Sequence, residues 1–521
     1  MAKERQKEYK PLSFSTTMRN PARITDFLNC LLPYEGQMLT NDIIHSVAVN
    51  LISRKLYKPT IVGREEGLKA VYNSEEDFSV QDAEYIIEHS PQKHKEAGFE
   101  QGWPSRFDTW YKLPMEFGFV YYEMDKPIEI SSTGHMLIDA IRESPQNNEK
   151  IQNVFLNALM KYQTNNPFRK NANTNAPLPL LLNVIKLLKE DPEENDSGVF
   201  IGELSMIICW PNNDANELYR AIKEFRAAHR FTYSDEVMYE RCLQLLGADE
   251  TKKNRFKLSQ ITGEAVDEFI RKMRFTGLIS IRGNGRFLDF NSFEADRISY
   301  VIDNYTNFET FEQKREYYDY VGKIDPRIIS ISHEEPTGID AIKQQTVNTW
   351  ARERSKETII DELRITCARG ESHDNTLRLI DKPTRFEFLV SIALKQHFQD
   401  LIVKPNYKCD DEGIPTFTAA GGLADIECFD RECNPLVEVT LMQARNQSTN
   451  EIPAVTRHLQ EAIEKYPDTK VFTVFVAPSI HADTSYMVGF SKYQYHVDIV
   501  ALNINEFIDK IGQIDKIEEM V

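Results

Sequence analysis

Residues 423–442 read LADIECFDRECNPLVEVTLM, two short strands joined by a polar turn. In the first strand Leu423, Ile426 and Phe429 supply apolar bulk, while Asp425 and Glu427, two positions apart, share a face. In the second, Val437, Val439 and Leu441 take one side, and Glu438 and Thr440 take the other. The turn between them, Asp430 to Pro435, holds the Asp, Asn and Pro that end strands. Pairing across that turn brings Asp425 and Glu438 to one spot. Two carboxylates on a rigid sheet form a site for a hard divalent cation such as Mg²⁺.

Composition bounds what can surround such a site. The chain has 521 residues, enough for three or four domains at roughly 150 residues each. Its 41% hydrophobic and 27% charged content is that of a globular protein. The start, MAKERQKEYK, is charged and leads into no apolar segment, so no signal peptide is expected. The longest apolar run, 177–188, falls short of the ~20 residues of a membrane helix. Seven scattered cysteines form no C-x-x-C pair, which argues against zinc and for free thiols in a reducing, cytoplasmic compartment. The net charge of −18 excludes a generic nucleic-acid coat but not a specific DNA binder, because phosphate contact depends on local patches. Such patches exist: Arg19 and Arg23 lie with four lysines and arginines in the first 30 residues, and a second cluster lies within 252–286.

The N-terminal part alternates helical and hairpin patterns. Residues 20–54 hold two amphipathic helices around a Gly-containing turn, with Thr40 or Asn41 as the N-cap of the second. An acidic helix follows at 77–89, then GWPSRFDTWYK, which carries Arg106 and Lys112. PMEFGFVYYEMDKPIEISSTGHML reads as a strand at 117–122, a turn at Asp125-Lys126-Pro127, a strand at 128–130 and a helix starting at Ser132 or Thr133. Helices followed by a β-hairpin describe a winged-helix unit.

The middle repeats the plan. Apolar helices are expected at 177–189, 202–210 and 216–228. In the next helix Val266, Ile270 and Met273 form one stripe, with Arg271, Lys272 and Arg274 near its end. Strands at 278–281 and 287–290 flank Asn284-Gly285, a strong hairpin signal, and Arg282 and Arg286 flank the turn. A basic helix with an arginine on each side of a wing suits DNA reading. The bland alternative makes these arginines solvated surface charges on units that contact protein. Phe117-Gly118-Phe119 and Phe275-Thr276-Gly277-Leu278 occupy equivalent places in the two halves.

Residues 301–380 read as a charged helical connector. From 381 the texture changes. A helix at 383–398 places Glu387 among Phe386, Leu389, Val390 and Ala393. After the two acidic strands come the loop NQSTNEIP, a helix at 453–466, the doubly buried strand KVFTVFVAP, the strand VDIVAL and the helix INEFIDKI. This order implies a mixed sheet with helices on both sides.

An Asp followed thirteen residues later by a Glu has little specificity alone, since most such acids are on the surface. The flanking β-branched residues raise it, and Glu387, Glu451 and His458 can face the same end of the sheet. Carboxylates with a His and no thiolate suit Mg²⁺-dependent phosphodiester hydrolysis, with His458 as general base. The alternative for His458 is a surface histidine. The common PD-(D/E)XK nuclease pattern has a Lys two residues after the Glu. Here Thr440 stands there, and Gln443 or His458 must serve instead.

The segments NPARITDFLNCLLPYEG, PMEFGFVYYEMDKPIEISSTGHML, FTGLISIRGNGRFL, FEFL, G-x-x-D-I-E, VEVT and EIPAVTRH span most of the chain. Together they resemble the AlwI-type restriction endonucleases, the type IIS group that includes PleI, MlyI and nicking enzymes. The resemblance implies a multidomain α+β chain. Two winged-helix-like DNA-recognition units (1–165 and 166–300) precede a helical linker (301–380) and a PD-(D/E)XK-like mixed-sheet cleavage domain (381–521). It implies Mg²⁺-dependent cleavage of double-stranded DNA a few base pairs outside a short asymmetric site. Glu387, Asp425, Glu438, Glu451 and His458 would be catalytic, with Asp425, Glu438 and Glu387 toward the metal. The family tolerates a residue other than Lys at the place of Thr440. Arg19, Arg23, Arg106, Lys112, Arg271, Lys272, Arg274, Arg282 and Arg286 are the basic candidates for DNA contact. Cutting both strands requires a transient homodimer or a partner subunit. The rival readings are a non-catalytic DNA-binding protein with a degenerate nuclease domain, a strand-specific nicking enzyme, and a junction resolvase.

Overall fold

The computed structural model describes residues 22–521 except 75, 144–146, 170, 172, 195–197, 249–256, 332–336, 369 and 444–446. The chain forms two compact units. One takes residues up to Glu65, Phe78–Arg142 and Glu149–Glu334; the other takes Glu66–Asp77, Glu143–Asn148 and Glu335–Val521. Among the described residues no helix is long and apolar enough to cross a membrane.

The first unit is mostly helical. Helix α1 (Asn41–Ser53) begins where Thr40 accepts a bond from the Ile43 N–H at 3.3 Å, and it buries Ile44, Val47, Ala48, Leu51 and Ile52. Helix α2 (Val80–Glu88) opens on a capping box between Ser79 and Asp82. Helix α3 (Trp103–Glu116) stops at Phe117, and Gly118 takes φ of 73° before β1 (Val120–Tyr121). Strand β2 (Glu129–Ile130) pairs with β1 antiparallel, Val120 facing Ile130, and α4 (Ser132–Arg142) follows.

Helix α5 (Pro177–Glu190), β3 (Val199–Phe200) and α6 (Ala215–His229) lead to α7 (Ala265–Phe275). Gly277 then takes φ of 80° before β4 (Ile279–Arg282) and β5 (Phe287–Phe290). Both halves thus share one device, a helix ended by a left-handed glycine that redirects the chain into a hairpin strand. Asn284 has φ of 54° in the β4–β5 turn, as its sequence requires. The first hairpin is shorter than the pattern at 117–122 predicts, because the helix end and Gly118 consume its first residues.

The second unit carries the sheet. Its elements are α8 (Ile339–Glu353), α9 (Lys356–Cys367), α10 (Lys382–His397), β6 (Ile402–Pro405), β7 (Tyr407–Cys409), β8 (Pro415–Ala419), β9 (Ile426–Phe429) and β10 (Leu436–Val439). They continue with α11 (Ile452–Lys465), β11 (Thr473–Ala477), α12 (Ala482–Tyr495), β12 (Ile499–Asn503) and α13 (Ile504–Gln513). Strand order is β12-β11-β10-β9-β6, with β7 and β8 as a separate hairpin. The β10–β11 and β11–β12 pairs are parallel, and the β9–β10 and β6–β9 pairs are antiparallel. This is a mixed α/β architecture.

Alternation along the strands distributes the core. Ile426, Val437, Val474 and Val476 face one layer, which contains Val347, Ile359, Phe388 and Phe507 from α8, α9, α10 and α13. Leu436, Phe475, Ala477 and Ile499 face the other, against Ile452, Val455 and Leu459 of α11. Coverage on both faces explains why β11 is buried along its whole length. Helices α8 and α9 come from the segment read as a connector, and they pack into the first of these layers.

Three local expectations are corrected. Strand β9 starts at Ile426, so Asp425 precedes it and Leu423 is 51% exposed, because the backbone there turns to bond Asn406. Ile426 enters the core as expected, and Cys428 joins it in place of Leu423 and Phe429. Strands β6, β7 and β8 were not foreseen, because the polar and glycine-bearing run at 404–413 masks their periodicity.

A buried carboxylate cluster at the end of the sheet

On β10, Leu436 and Glu438 share a face, so the apolar contact of Leu436 with the α11 layer aims Glu438 the same way. His458, on α11, meets it: His458 Nδ1 lies 2.8 Å from Glu438 Oε1, and the two side chains are 9% and 8% exposed. The other Glu438 oxygen, Oε2, accepts from the Asp425 N–H at 3.3 Å, and Asp425 Oδ2 accepts from the Val439 N–H at 2.7 Å. Glu438 thus caps the backbone of Asp425, and Asp425 caps that of Val439, the residue after Glu438, which ties the two strand ends together.

Glu387 arrives from the opposite layer on α10 and accepts from the Ala419 N–H at the end of β8, at 3.0 Å. Glu451 sits just before α11 and accepts from the Thr440 hydroxyl at 3.4 Å. Thr440 in turn accepts from the Met442 N–H at 3.0 Å. The position lacking a lysine thus orients a fourth carboxylate. Glu427 goes elsewhere: it stands 3.6 Å from both Lys404 and Lys465.

The electrostatics are those of crowded, poorly solvated acids. Burial, then Glu387 and Glu438, holds the Asp425 carboxyl well above the usual range. Burial also raises Glu387, with Glu438 adding to it against the Ala419 bond and the charge of Lys343. Burial and Glu438 push Glu451 up to about 7. His458 Nε2 is buried and has no hydrogen-bond partner among the described residues.

Among the described residues no three His, Cys, Asp or Glu side chains stand in a metal-ligating arrangement. The donor set nevertheless fits a hard cation. It is all carboxylate and imidazole, its negative charge is uncompensated enough to raise three acids, and one buried nitrogen lacks a partner. The structure thereby brings together all five residues expected there. Sequence reasoning missed Lys343, whose signal was a lysine on the same α8 stripe as Val347 and Trp350.

The basic candidates are scattered through the first unit. Arg19 lies outside the described residues. Arg23 bonds the Leu56 carbonyl and covers Phe27. Arg106 lies over the Tyr57 ring, 4.6 Å from its centroid, and 2.7 Å from His94 Nε2; Lys112 lies 3.7 Å from Glu96. Lys272 is 0% and Arg274 5% exposed, and Lys272 Nζ and Arg274 Nε are enclosed by the protein in this conformation. The reason is that α7 packs the side carrying them inward, which the stripe of Val266, Ile270 and Met273 alone did not reveal. Arg271 is half-buried, and Arg282 is held by Asp289 at 2.9 Å. Arg286 is exposed beside the rings of Phe200 and Phe287.

A family model described as AlwI restriction endonuclease matches residues 115–360 and 326–509. None of the curated proteins compared matches the chain. Among solved structures, the small subunit R.BspD6I2 of the heterodimeric restriction endonuclease R.BspD6I is similar at 23% identity over 32% of this chain and 77% of that one, with a TM-score of 0.24. Restriction endonuclease FokI is similar at 10% identity over 98% of this chain and 96% of that one, with a TM-score of 0.25. FokI bound to DNA gives 10%, 98% and 98%, with a TM-score of 0.23. At TM-scores of this size the structural likenesses carry no argument.

Proposed function

The chain belongs to the AlwI restriction endonuclease family and is a type II restriction deoxyribonuclease; from that premise we propose that it is a type IIS enzyme whose second unit cuts DNA with the acid cluster described above. The reading is a Mg²⁺-dependent, PD-(D/E)XK-like cleavage domain acting a few base pairs outside a short asymmetric site. Two winged-helix-like units in the first part of the chain would recognise that site. The observation that carries the proposal is the convergence of four carboxylates, two of them buried and two half-buried, and one histidine at the sheet end.

Asp425, Glu438 and Glu387 would hold the Mg²⁺, which supplies charge neutralisation and a more acidic bound water. The residues' own parts follow from their bonds. Glu438 fixes His458 through Nδ1, which leaves Nε2 as the nitrogen to accept a proton. Water attacks the phosphorus, its proton passes to His458 Nε2, one backbone P–O bond breaks, and the leaving oxygen takes a proton from solvent water. Glu451, held by Thr440, orients that water or joins the cation's outer shell. Asp425 keeps Glu438 in place through the reciprocal backbone bonds.

For DNA contact, exposure favours Arg286 on the wing, with Arg271, Arg282, Arg106, Lys112, Arg23 and Arg19 as further candidates. The described residues hold one such acid cluster, so one chain cuts one strand at a time. Double-strand cleavage would then take a transient homodimer or a partner subunit, and without either the enzyme nicks.

Plasmid DNA incubated with the protein and Mg²⁺, followed by run-off sequencing, tests this. Breaks at a fixed distance from one sequence, abolished by Asp425→Ala, are expected. Random degradation, or specific binding with no breaks at any protein concentration, would overturn it.

A further inference from the structure

The cluster has four carboxylates and no cation on its own strands, yet a lysine is buried beside it. Lys343, the fifth residue of α8, is 4% exposed. Its ammonium lies over the Tyr407 ring, 5.9 Å from the centroid. Tyr407 pairs with Ala419 across the β7–β8 hairpin, and the Ala419 N–H is the group that holds Glu387. The Phe388 ring, next in sequence to Glu387, stands edge-on to Tyr407 at 5.9 Å. Helix α8 is fixed in this position at two points. Lys404 bonds Asp340 at 3.0 Å, and the Thr346 hydroxyl bonds the Glu412 carbonyl at 2.8 Å.

Lys343 is therefore held against the β7–β8 hairpin that anchors Glu387, and its charge acts on that carboxyl. Among the described residues its ammonium has no hydrogen-bond acceptor and no ion-pair partner within bonding distance. The Tyr407 hydroxyl beside it is also buried without a partner. The Lys343 side chain is buried, yet its Nζ is not one of the enclosed polar atoms, so the ammonium is open to an acceptor that the described residues do not supply.

We propose that Lys343 is the cation of the active site, donating from its ammonium to a non-bridging oxygen of the scissile phosphate beside Glu387. It takes the part of the lysine that Thr440 displaces from the strand, reaching the site from a helix in a different layer. The proposal rests on the reading of the cluster as a phosphodiesterase centre.

The test compares wild type, Asp425→Ala, Lys343→Met and Lys343→Arg on a plasmid carrying the recognition site. Single-turnover cleavage is measured in Mg²⁺, DNA binding in Ca²⁺, and melting without DNA. Lys343→Met is expected to slow cleavage on the order of 10²–10³-fold, with DNA affinity and melting kept. Lys343→Arg is expected to recover most of the rate. A Lys343→Met enzyme that cleaves as wild type does, or that loses cleavage only in step with binding, overturns the proposal. So do Lys343→Met and Lys343→Gln variants that both fail to fold, which would make the lysine a scaffold residue. If wild type and Asp425→Ala are equally inactive, the nuclease reading itself falls, and that result is distinct from a normal rate in Lys343→Met.

Discussion

His458 is defined by what each of its nitrogens does. Nδ1 is tied to Glu438 at 2.8 Å, while Nε2 is buried with no partner. A base assigned to Nε2 predicts that His458→Ala slows single-turnover cleavage by roughly 10²–10⁴-fold while specific DNA binding persists. Wild-type rates in that variant would leave the histidine a structural prop for Glu438. Glu451 makes a second prediction. Its carboxyl is pushed from 4.5 to about 7 by burial and then by Glu438. A folded-state pKa above the unfolded value contributes stability that is full below pH 4.5 and lost as pH rises through about 7. At about 1.4 kcal/mol per unit the loss is on the order of 3 kcal/mol. Asp425 and Glu387 shift in the same direction. In chelator, the melting temperature of the second unit should fall between pH 5 and 8, and Glu451→Gln should flatten that fall. A melting temperature that rises over this range would contradict the picture of uncompensated acids.

At the scale of elements, the hairpin β4–β5 carries the most accessible basic candidate among the described residues. Arg286 is exposed at the turn, whereas Lys272 and Arg274 on α7 are buried. If Arg286 contacts a phosphate, Arg286→Ala weakens binding uniformly across sequences and lowers the salt slope by about 1. Fluorescence anisotropy at several salt concentrations measures this, and an unchanged slope removes Arg286 from the interface. The contrast on α7 shows where pattern reading stops. The apolar stripe located the helix, but the width of its buried face was set by β4 and the neighbouring helices, which sequence spacing does not encode. The strands behaved the other way. Leu436 to Val439 alternate strictly, and the alternation alone assigned Glu438 to the face opposite Val437.

For the whole molecule, a single such cluster among the described residues predicts that the two strands of a duplex are cut in separate events. Time courses on supercoiled plasmid should show nicked circles accumulating before linear DNA. Raising protein concentration should speed the second cut more than the first if the second centre comes from another chain. Linear product appearing with no nicked intermediate at every concentration would argue for a preassembled pair of centres.

The sequence by itself determined the parts of this protein that depend on local periodicity and capping. The strands at 426–439, the doubly buried strand at 473–477 and the cap at Thr40 follow from side-chain size, alternation and backbone freedom within a few residues. It also named Glu387, Asp425, Glu438, Glu451 and His458, though their grouping came from resemblance more than from spacing. Only the tertiary structure decided which polar groups meet. Asp425 stands outside its strand and is held by the Val439 N–H, Glu427 turns to two lysines, and Lys343 comes in from a helix more than forty residues before Glu387. The reason is physical: alternation fixes the face a side chain points to, whereas the layer packed on that face, and the charges it carries, depend on contacts between segments far apart in the chain.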